Sequence, residues 1–262
     1  MKGGKEWGMS AMDMTKIGGG QISLAERDID RFEDNLRGEL LHPGDPGYEE
    51  ARRVWNGLID RRPALIARCT DLADVVEAVN FAQAYQLLLA VRGGGHGVSG
   101  NAVCDGGLVI DLSLLKSVDV DEDARIARAE GGVVWRELDG ETQELGLVVP
   151  GSMVSQTGIA GLTLGGGMGW LRRKFGLTCD NLHSAEVVTA AGDVVTASAR
   201  ENADLFWGLR GGGGNFGIVT SFEFDLHVLD PMLMSALVNY PANRARDALR
   251  FFRQYATESP DE

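Results

Sequence analysis

The sequence predicts a mixed α+β fold, and three observations predict it. Residues 62–91 alternate between short β-rich runs and one amphipathic stretch. Residues 182–198 read as two strands around a tight glycine turn. The 36 glycines, instead of following a collagen-like period, gather into clusters at 92–100, 151–169 and 208–217. With 262 residues and 44% hydrophobic content, the chain suffices for one large domain or two modest ones, at about 100–200 residues each.

Taken in order, residues 1–21 are rich in Gly and Met and lack a hydrophobic period, which predicts a poorly ordered extension. Ser23, with Glu26 three residues later, has the spacing of a capping box ahead of Leu24, Ile29, Phe32 and Leu36, so a short helix is expected there. The turn from His42 to Gly47 separates it from a second helix over Tyr48–Leu58. Arg62-Pro63 then opens a β-α-β unit: a strand at 64–67, a helix from Asp71 to Tyr85 capped by Thr70 or Asp71, and a strand at 87–91. After the first glycine loop come a strand at 108–111, a hairpin near 118–129 and a helix over 133–145. Residues 182–190 and 194–198 pair around Ala191-Gly192-Asp193, 204–210 form a helical turn, and 218–229 a long strand. Beyond Pro231 a strand at 232–240 and a helix at 243–256 are expected. One strand and one helix cannot bury their own apolar surface, so 231–262 reads as the start of a truncated second domain after a main domain at 22–230.

The balance of 25 Lys and Arg against 38 Asp and Glu gives a formal charge of -13, which opposes a nucleic-acid partner because phosphate backbones are held by clustered cations. Cys69, Cys104 and Cys179 are odd in number and far apart, so neither a disulfide framework nor a zinc knuckle is indicated; reduced thiols in the cytoplasm are expected. No secretory leader and no apolar run near 20 residues is present, so no membrane partner is expected. His42, His183 and His227 lack carboxylate or cysteine companions at ligand spacing, which predicts no metal site. Trp135, Trp170 and Trp207 read as packing aromatics.

The chemistry concentrates in the loops. Val91-Arg92-Gly93-Gly94-Gly95-His96-Gly97 follows a predicted strand and runs into Ser99-Gly100-Asn101. Consecutive glycines let successive N–H groups point at one spot, an anion nest able to hold a pyrophosphate, with Arg92 adding charge. No helix follows, unlike a dinucleotide fingerprint or a Walker loop. On its own such a loop is better read as a flexible surface turn with an incidental histidine; the glycine clusters that accompany it reverse that reading. A second cluster, from Gly158 to Trp170, is too rich in glycine for a helix and too apolar for a solvated linker; it suits backbone laid flat against a large planar ligand, the alternative being a close approach of sheet to sheet. A third, Arg210 to Val219, leads into a strand.

In order, Arg92-Gly-Gly-Gly-His96, the glycine segment 158–169, Lys174-Phe175-Gly176-Leu177 with Asp180-Asn181, and Phe206-Trp207-Gly208-Leu209-Arg210 with Asn215-Phe216-Gly217-Ile218-Val219 resemble the FAD-binding domain of berberine bridge enzyme-like oxidases, within the vanillyl-alcohol oxidase/p-cresol methylhydroxylase superfamily. The resemblance covers about residues 60–230. It implies a p-cresol methylhydroxylase-type fold in which two α/β subdomains sandwich FAD. It further implies that Arg92, Gly93, Gly94, Gly95, His96, Gly97, Ser99 and Asn101 wrap the pyrophosphate, with His96 bonded to the flavin 8-methyl carbon. Gly158, Gly161, Gly165 and Gly166 would pass along the flavin and ribityl chain, Asp180 would lie near the cofactor, and Ile218 or Val219 would meet the adenine. Some members attach the flavin a second time through a cysteine ahead of the long glycine segment; here Gly151-Ser152-Met153-Val154-Ser155-Gln156 offers none, so attachment through His96 alone is expected.

The implied activity is an FAD-dependent oxidoreductase taking hydride from a small-molecule alcohol, sugar or amine and passing electrons to oxygen or another acceptor. The catalytic base would come from the second domain, so none is nominated. The chain reads as a piece of a longer enzyme or as a shortened form, and its exposed tail predicts self-association. The alternatives are an FAD-binding module without turnover, and a nucleotide-sugar or phosphate-binding protein without flavin.

Overall fold

The computed structural model describes residues 11–230, 232 and 237–259. The first half runs β1 (Ala11–Thr15), β2 (Gln21–Ala25), α1 (Glu26–Asn35), β3 (Glu39–Leu41), α2 (Tyr48–Ala51), β4 (Leu65–Arg68), α3 (Leu72–Tyr85), β5 (Leu89–Arg92) and β6 (Leu108–Asp111). The second runs β7 (Val118–Asp121), β8 (Ile126–Glu130), α4 (Trp135–Gln143), β9 (Leu147–Val148), α5 (Ile159–Leu164), α6 (Arg172–Phe175), β10 (Leu182–Val188), β11 (Val194–Ser198), α7 (Ala203–Leu209), β12 (Ile218–Asp225), β13 (His227–Val228) and α8 (Ala245–Glu258).

Two sheets organise these elements. The first has the order β3-β4-β6-β5, with β4, β6 and β5 parallel and β3 antiparallel at the edge. Both faces are covered, as a parallel sheet requires. Leu65, Ala67, Leu108 and Ile110 face α3 through Val75, Ala78, Val79 and Phe81. On the other side, Ile66, Ala90 and Val109 pack with Leu41, Tyr48 and Val103. Phe32 of α1 stacks on Phe81 at 4.1 Å. The second sheet, β11-β10-β12-β8-β7, is wholly antiparallel. Its inner face joins Ala127, Ala129, Phe222 and Phe224 to Trp135 and Leu138 of α4, Ile159 and Leu164 of α5, and Phe206 and Leu209 of α7.

Asp71 caps α3 as expected, its carboxylate accepting the Asp74 N–H at 3.1 Å. Asp74, almost wholly buried, accepts the N–H groups of Arg37, Gly38 and Thr70 and the Thr70 hydroxyl. One carboxylate thus ties the chain leaving α1 to the start of α3. Asp139 on α4 is different, since desolvation pushes its carboxyl up to about 6. Folding therefore disfavours its charged form above that value, and as pH falls through 6 towards 4 the folded state takes up the proton before the unfolded chain does, so stability rises. Asp139→Asn should melt several degrees higher than wild type at pH 7.5, with the gap closing towards pH 4; equal melting temperatures at pH 7.5 would refute this.

Several expectations are corrected. Residues 11–15 are not part of a loose extension: they form β1, paired with β2 from Ala11↔Ala25 to Thr15↔Gln21, while residues 1–10 lie outside the described residues. This hairpin hooks onto the chain entering β5, with Leu88 N–H donating to Thr15 O at 2.8 Å and Ile17 N–H to Gln86 O at 2.8 Å. Ser23 is no helix cap; it lies in β2 and donates to Asp13, and α1 begins after Ala25. The second helix ends at Ala51 instead of Leu58. The long strand at 218–229 breaks after Asp225, and β13 pairs separately with β9. Of the strand expected at 232–240, residues 233–236 lie outside the described residues and 237–240 form no strand. The following helix, α8, is present with no buried residue, exposing Leu249, Phe251, Phe252 and Tyr255. Trp135 is fully buried, but Trp170 and Trp207 are 76% and 80% exposed, so they are not packing aromatics.

The most instructive correction is α5. The glycine segment contains a helix at Ile159–Leu164 because only one glycine, Gly161, lies within it. Ile159, Ala160, Thr163 and Leu164 supply a buried face, and the Thr163 hydroxyl bonds back to Ile159 O at 2.8 Å. Tertiary burial outweighs the glycine penalty of about 1 kcal/mol.

Candidate functional site

The two sheets meet along strips of bare backbone. Arg92 ends β5, and Gly93 and Gly94 follow it into the gap between the sheets. A Cβ on Gly94 would lie 2.4 Å from Gly158 N, and one on Gly158 would lie 2.4 Å from Gly94 N, so neither position tolerates a side chain. Gly158 is in turn bridged to Val134. A Cβ on Gly93 would meet Gly131 O at 3.1 Å, and one on Gly131 would meet Val219 O at 2.6 Å. Gly131 N–H donates to Thr220 O at 2.8 Å. Gly93, Gly94, Gly158 and Val219 are thus brought together. Gly131, which joins them, was not singled out from the sequence; the Gly131-Gly132 pair between a strand and a helix was the available signal.

The glycines beyond this seam differ in exposure. Gly97 and Gly161 are exposed, and a Cβ on either would meet nothing within 4 Å. Gly165 is likewise exposed, whereas Gly166 is buried, its carbonyl accepting the Cys179 N–H at 2.9 Å. The guanidinium of Arg92 bonds through Nη1 to Ala51 O, while its Nε is buried with no hydrogen-bond partner. That orphan donor sits beside Gly95, whose Cβ would lie 3.5 Å from it. Backbone stripped of side chains, with an unpaired buried cationic donor at its edge, fits a large anionic and planar group.

His96 is half-buried, its ring stacked on Trp55 with centroids 5.4 Å apart and planes 22° apart. Ser99 and Asn101 are exposed. Asp180 is engaged locally: it accepts the Leu177 N–H at 2.9 Å and pairs with Arg210 at 3.6 Å. Ile218 and Val219 are buried at the start of β12. Nearby, Asn181 donates its amide to Phe175 O and Leu177 O, which leaves its Oδ1 as acceptor for His227 Nε2 at 2.5 Å and fixes that nitrogen as the protonated one. Desolvation pulls the His227 pKa down, partly offset by Asp225. His183 has a carboxylate companion after all, Asp225 at 3.0 Å, yet no group of three metal-ligating side chains occurs among the described residues.

All three cysteines are buried and unpaired. Burial pushes each thiol up, Cys104 to about 11, so none is a ready nucleophile. Among the described residues no helix is long and apolar enough to cross a membrane.

The family described as FAD binding domain matches residues 63–198, more than half of the chain. The (R)-6-hydroxynicotine oxidase of Paenarthrobacter nicotinovorans is 39% identical over 206 residues, 79% of this chain and 45% of that protein. The chain belongs to the berberine bridge enzyme-like FAD-linked oxidoreductases. Its fold agrees with theirs: the structure of Physcomitrella patens BBE-like 1 superposes with a TM-score of 0.72 at 33% identity, covering 76% of this chain and 44% of that one. Glucooligosaccharide oxidase from Acremonium strictum, described with a 6-S-cysteinyl, 8α-N1-histidyl FAD, gives a TM-score of 0.71 at 34% identity, over 76% of this chain and 42% of that one. The chain therefore spans about half the length of these relatives. FAD is the cofactor of this family.

Proposed function

We propose that the chain supplies the FAD-holding half of an oxidase acting on a small alcohol, sugar or amine, with the flavin attached through His96 alone. The observation that carries this reading is the glycine seam, which opens onto exposed bare backbone at Gly97 and Gly161 and carries a half-buried imidazole on the same loop. Bound FAD would supply two-electron acceptance from a substrate carbon. The amides of 93–97 and the Arg92 guanidinium would bind the diphosphate, and the contact between Gly94 and Gly158 would keep water from passing behind it. Gly161 and Gly165 would leave room for the ring, while Ile218 and Val219 would offer backbone to the adenine. His96 would hold the flavin through a ring nitrogen at its 8α carbon; the imidazole N–H proton, one proton of the 8-methyl group and the two electrons released would pass to one dioxygen, giving hydrogen peroxide. The absence of cysteine from 151–156 supports a single tether.

Residues 22–230 would form the cofactor domain and 231–262 the beginning of the substrate domain, whose exposed α8 favours self-association of this chain. Three free thiols support a reducing, cytoplasmic setting, and oxygen is the acceptor favoured by the oxidases among the relatives. The second reading is an FAD-binding module without turnover. Anaerobic mixing of the yellow protein with alcohols, sugars and amines separates the two. Bleaching, with peroxide released on readmitting air, supports the oxidase; an absorbance unchanged by every class supports the module.

A further inference from the structure

The loop bearing His96 is gripped from outside by a strap, residues 54–61, that the cofactor reading leaves without a role. Trp55 N–H donates to Gly95 O at 3.0 Å, just before the histidine, and the Asn56 side-chain amide donates to Val98 O at 2.8 Å, just after it. Farther along, Arg61 Nη1 donates to Gly100 O at 3.1 Å and Val103 O at 2.8 Å. Gly100 has a φ of +72°, and a Cβ there would strike Ile59 at 2.7 Å. The strap is itself anchored by Arg52, whose guanidinium holds Glu49 and Asp60 at 2.5 Å each. Within this frame the Trp55 indole lies nearly parallel to the His96 imidazole while remaining 62% exposed. A large aromatic left in solvent but locked at its backbone to the carbonyl preceding its ring partner is suited to holding that partner's orientation.

We infer that Trp55 is a positioning residue for the flavin tether, its indole covering one face of the His96 ring and limiting rotation about the Cβ–Cγ bond so that a ring nitrogen is presented towards the cofactor. The inference rests on the assignment of His96 as the attachment site. Stacking contributes only about 0.5–1.5 kcal/mol, but a mis-aimed nucleophile loses rate steeply, on the order of a hundredfold for a displacement of about 1 Å. The indole therefore acts on the rate of bond formation and leaves the affinity for FAD unchanged.

The test follows covalent flavin uptake by apoprotein of the wild type, Trp55→Phe and Trp55→Leu after adding FAD in air, counting flavin that remains on acid-precipitated protein over time. Reversible FAD affinity is measured in parallel under anaerobic conditions, where the peroxide-forming step cannot finish. The expected result is uptake slowed about tenfold or more in Trp55→Leu, within about threefold of wild type in Trp55→Phe, and unchanged reversible affinity in both. Wild-type uptake rates in Trp55→Leu would overturn the role of Trp55 alone. So would a loss of affinity matching the loss of rate, since that marks a merely structural prop. A wild-type protein that binds FAD reversibly and never links it would overturn both the tether and the positioning role.

Discussion

Replacing His96 with alanine is expected to abolish acid-stable flavin altogether, while reversible FAD binding survives in weakened form. The glycine seam does not depend on the imidazole: Gly93, Gly94, Gly131 and Gly158 are held by backbone contacts to one another and to Val219. The variant should therefore fold and turn yellow on adding FAD, yet release all its flavin into an acid supernatant. None of the three cysteines can substitute, because their thiols are buried and held protonated. Flavin still on the acid-washed protein would show that the attachment lies elsewhere; a wild type that releases its flavin would show that no attachment exists.

The second large effect is expected at Gly94. Alanine there would drive a methyl group to 2.4 Å from Gly158 N and 2.5 Å from its Cα. Both contacts are backbone, so nothing can rotate away, and the two subdomains must separate locally. A destabilisation of about 3 kcal/mol is expected, at the upper end of overpacking penalties, together with loss of FAD uptake. Gly161→Ala is the informative contrast. Its Cβ would meet nothing, and alanine favours the helix by up to about 1 kcal/mol, so the apoprotein should melt no lower than wild type. FAD uptake should nevertheless fall, because the methyl group would occupy the open face. Unchanged uptake in Gly161→Ala, measured by flavin absorbance after gel filtration, would remove α5 from the cofactor surface.

Much of this was readable from residue order. The β-α-β unit announced itself through the helical spacing of Val75, Val79 and Phe81 and the Asp71 cap, both local properties. The hairpin of β10 and β11 followed from Gly192 between two β-rich runs. Ser23 misled because its partner, Asp13, is supplied by a strand pairing that no local pattern revealed. Similarly, α5 was hidden because its stability comes from burial against the second sheet and not from its composition. At the site, glycine density marked the strips that meet, but only the fold shows that Gly131 completes them and that Gly166 and Asp180 serve local bonds. Trp55 was swallowed by an overlong helix; Asn56-Gly57, a turn dipeptide, was the sign that the helix had already ended.

The β1-β2 hairpin has a bearing on how copies of this chain behave towards one another. β5 is the last strand of its sheet, and such a border exposes unpaired amides that invite a foreign strand. By lodging Thr15 and Ile17 against Gln86 and Leu88, the hairpin acts as a doorstop at the entrance to that border, immediately upstream of the strand that delivers Arg92 and the histidine loop. Molecules shorn of their first twenty or so residues would be open to intruders at the very rung that aims the flavin anchor, so crowding and loss of cofactor would arrive together.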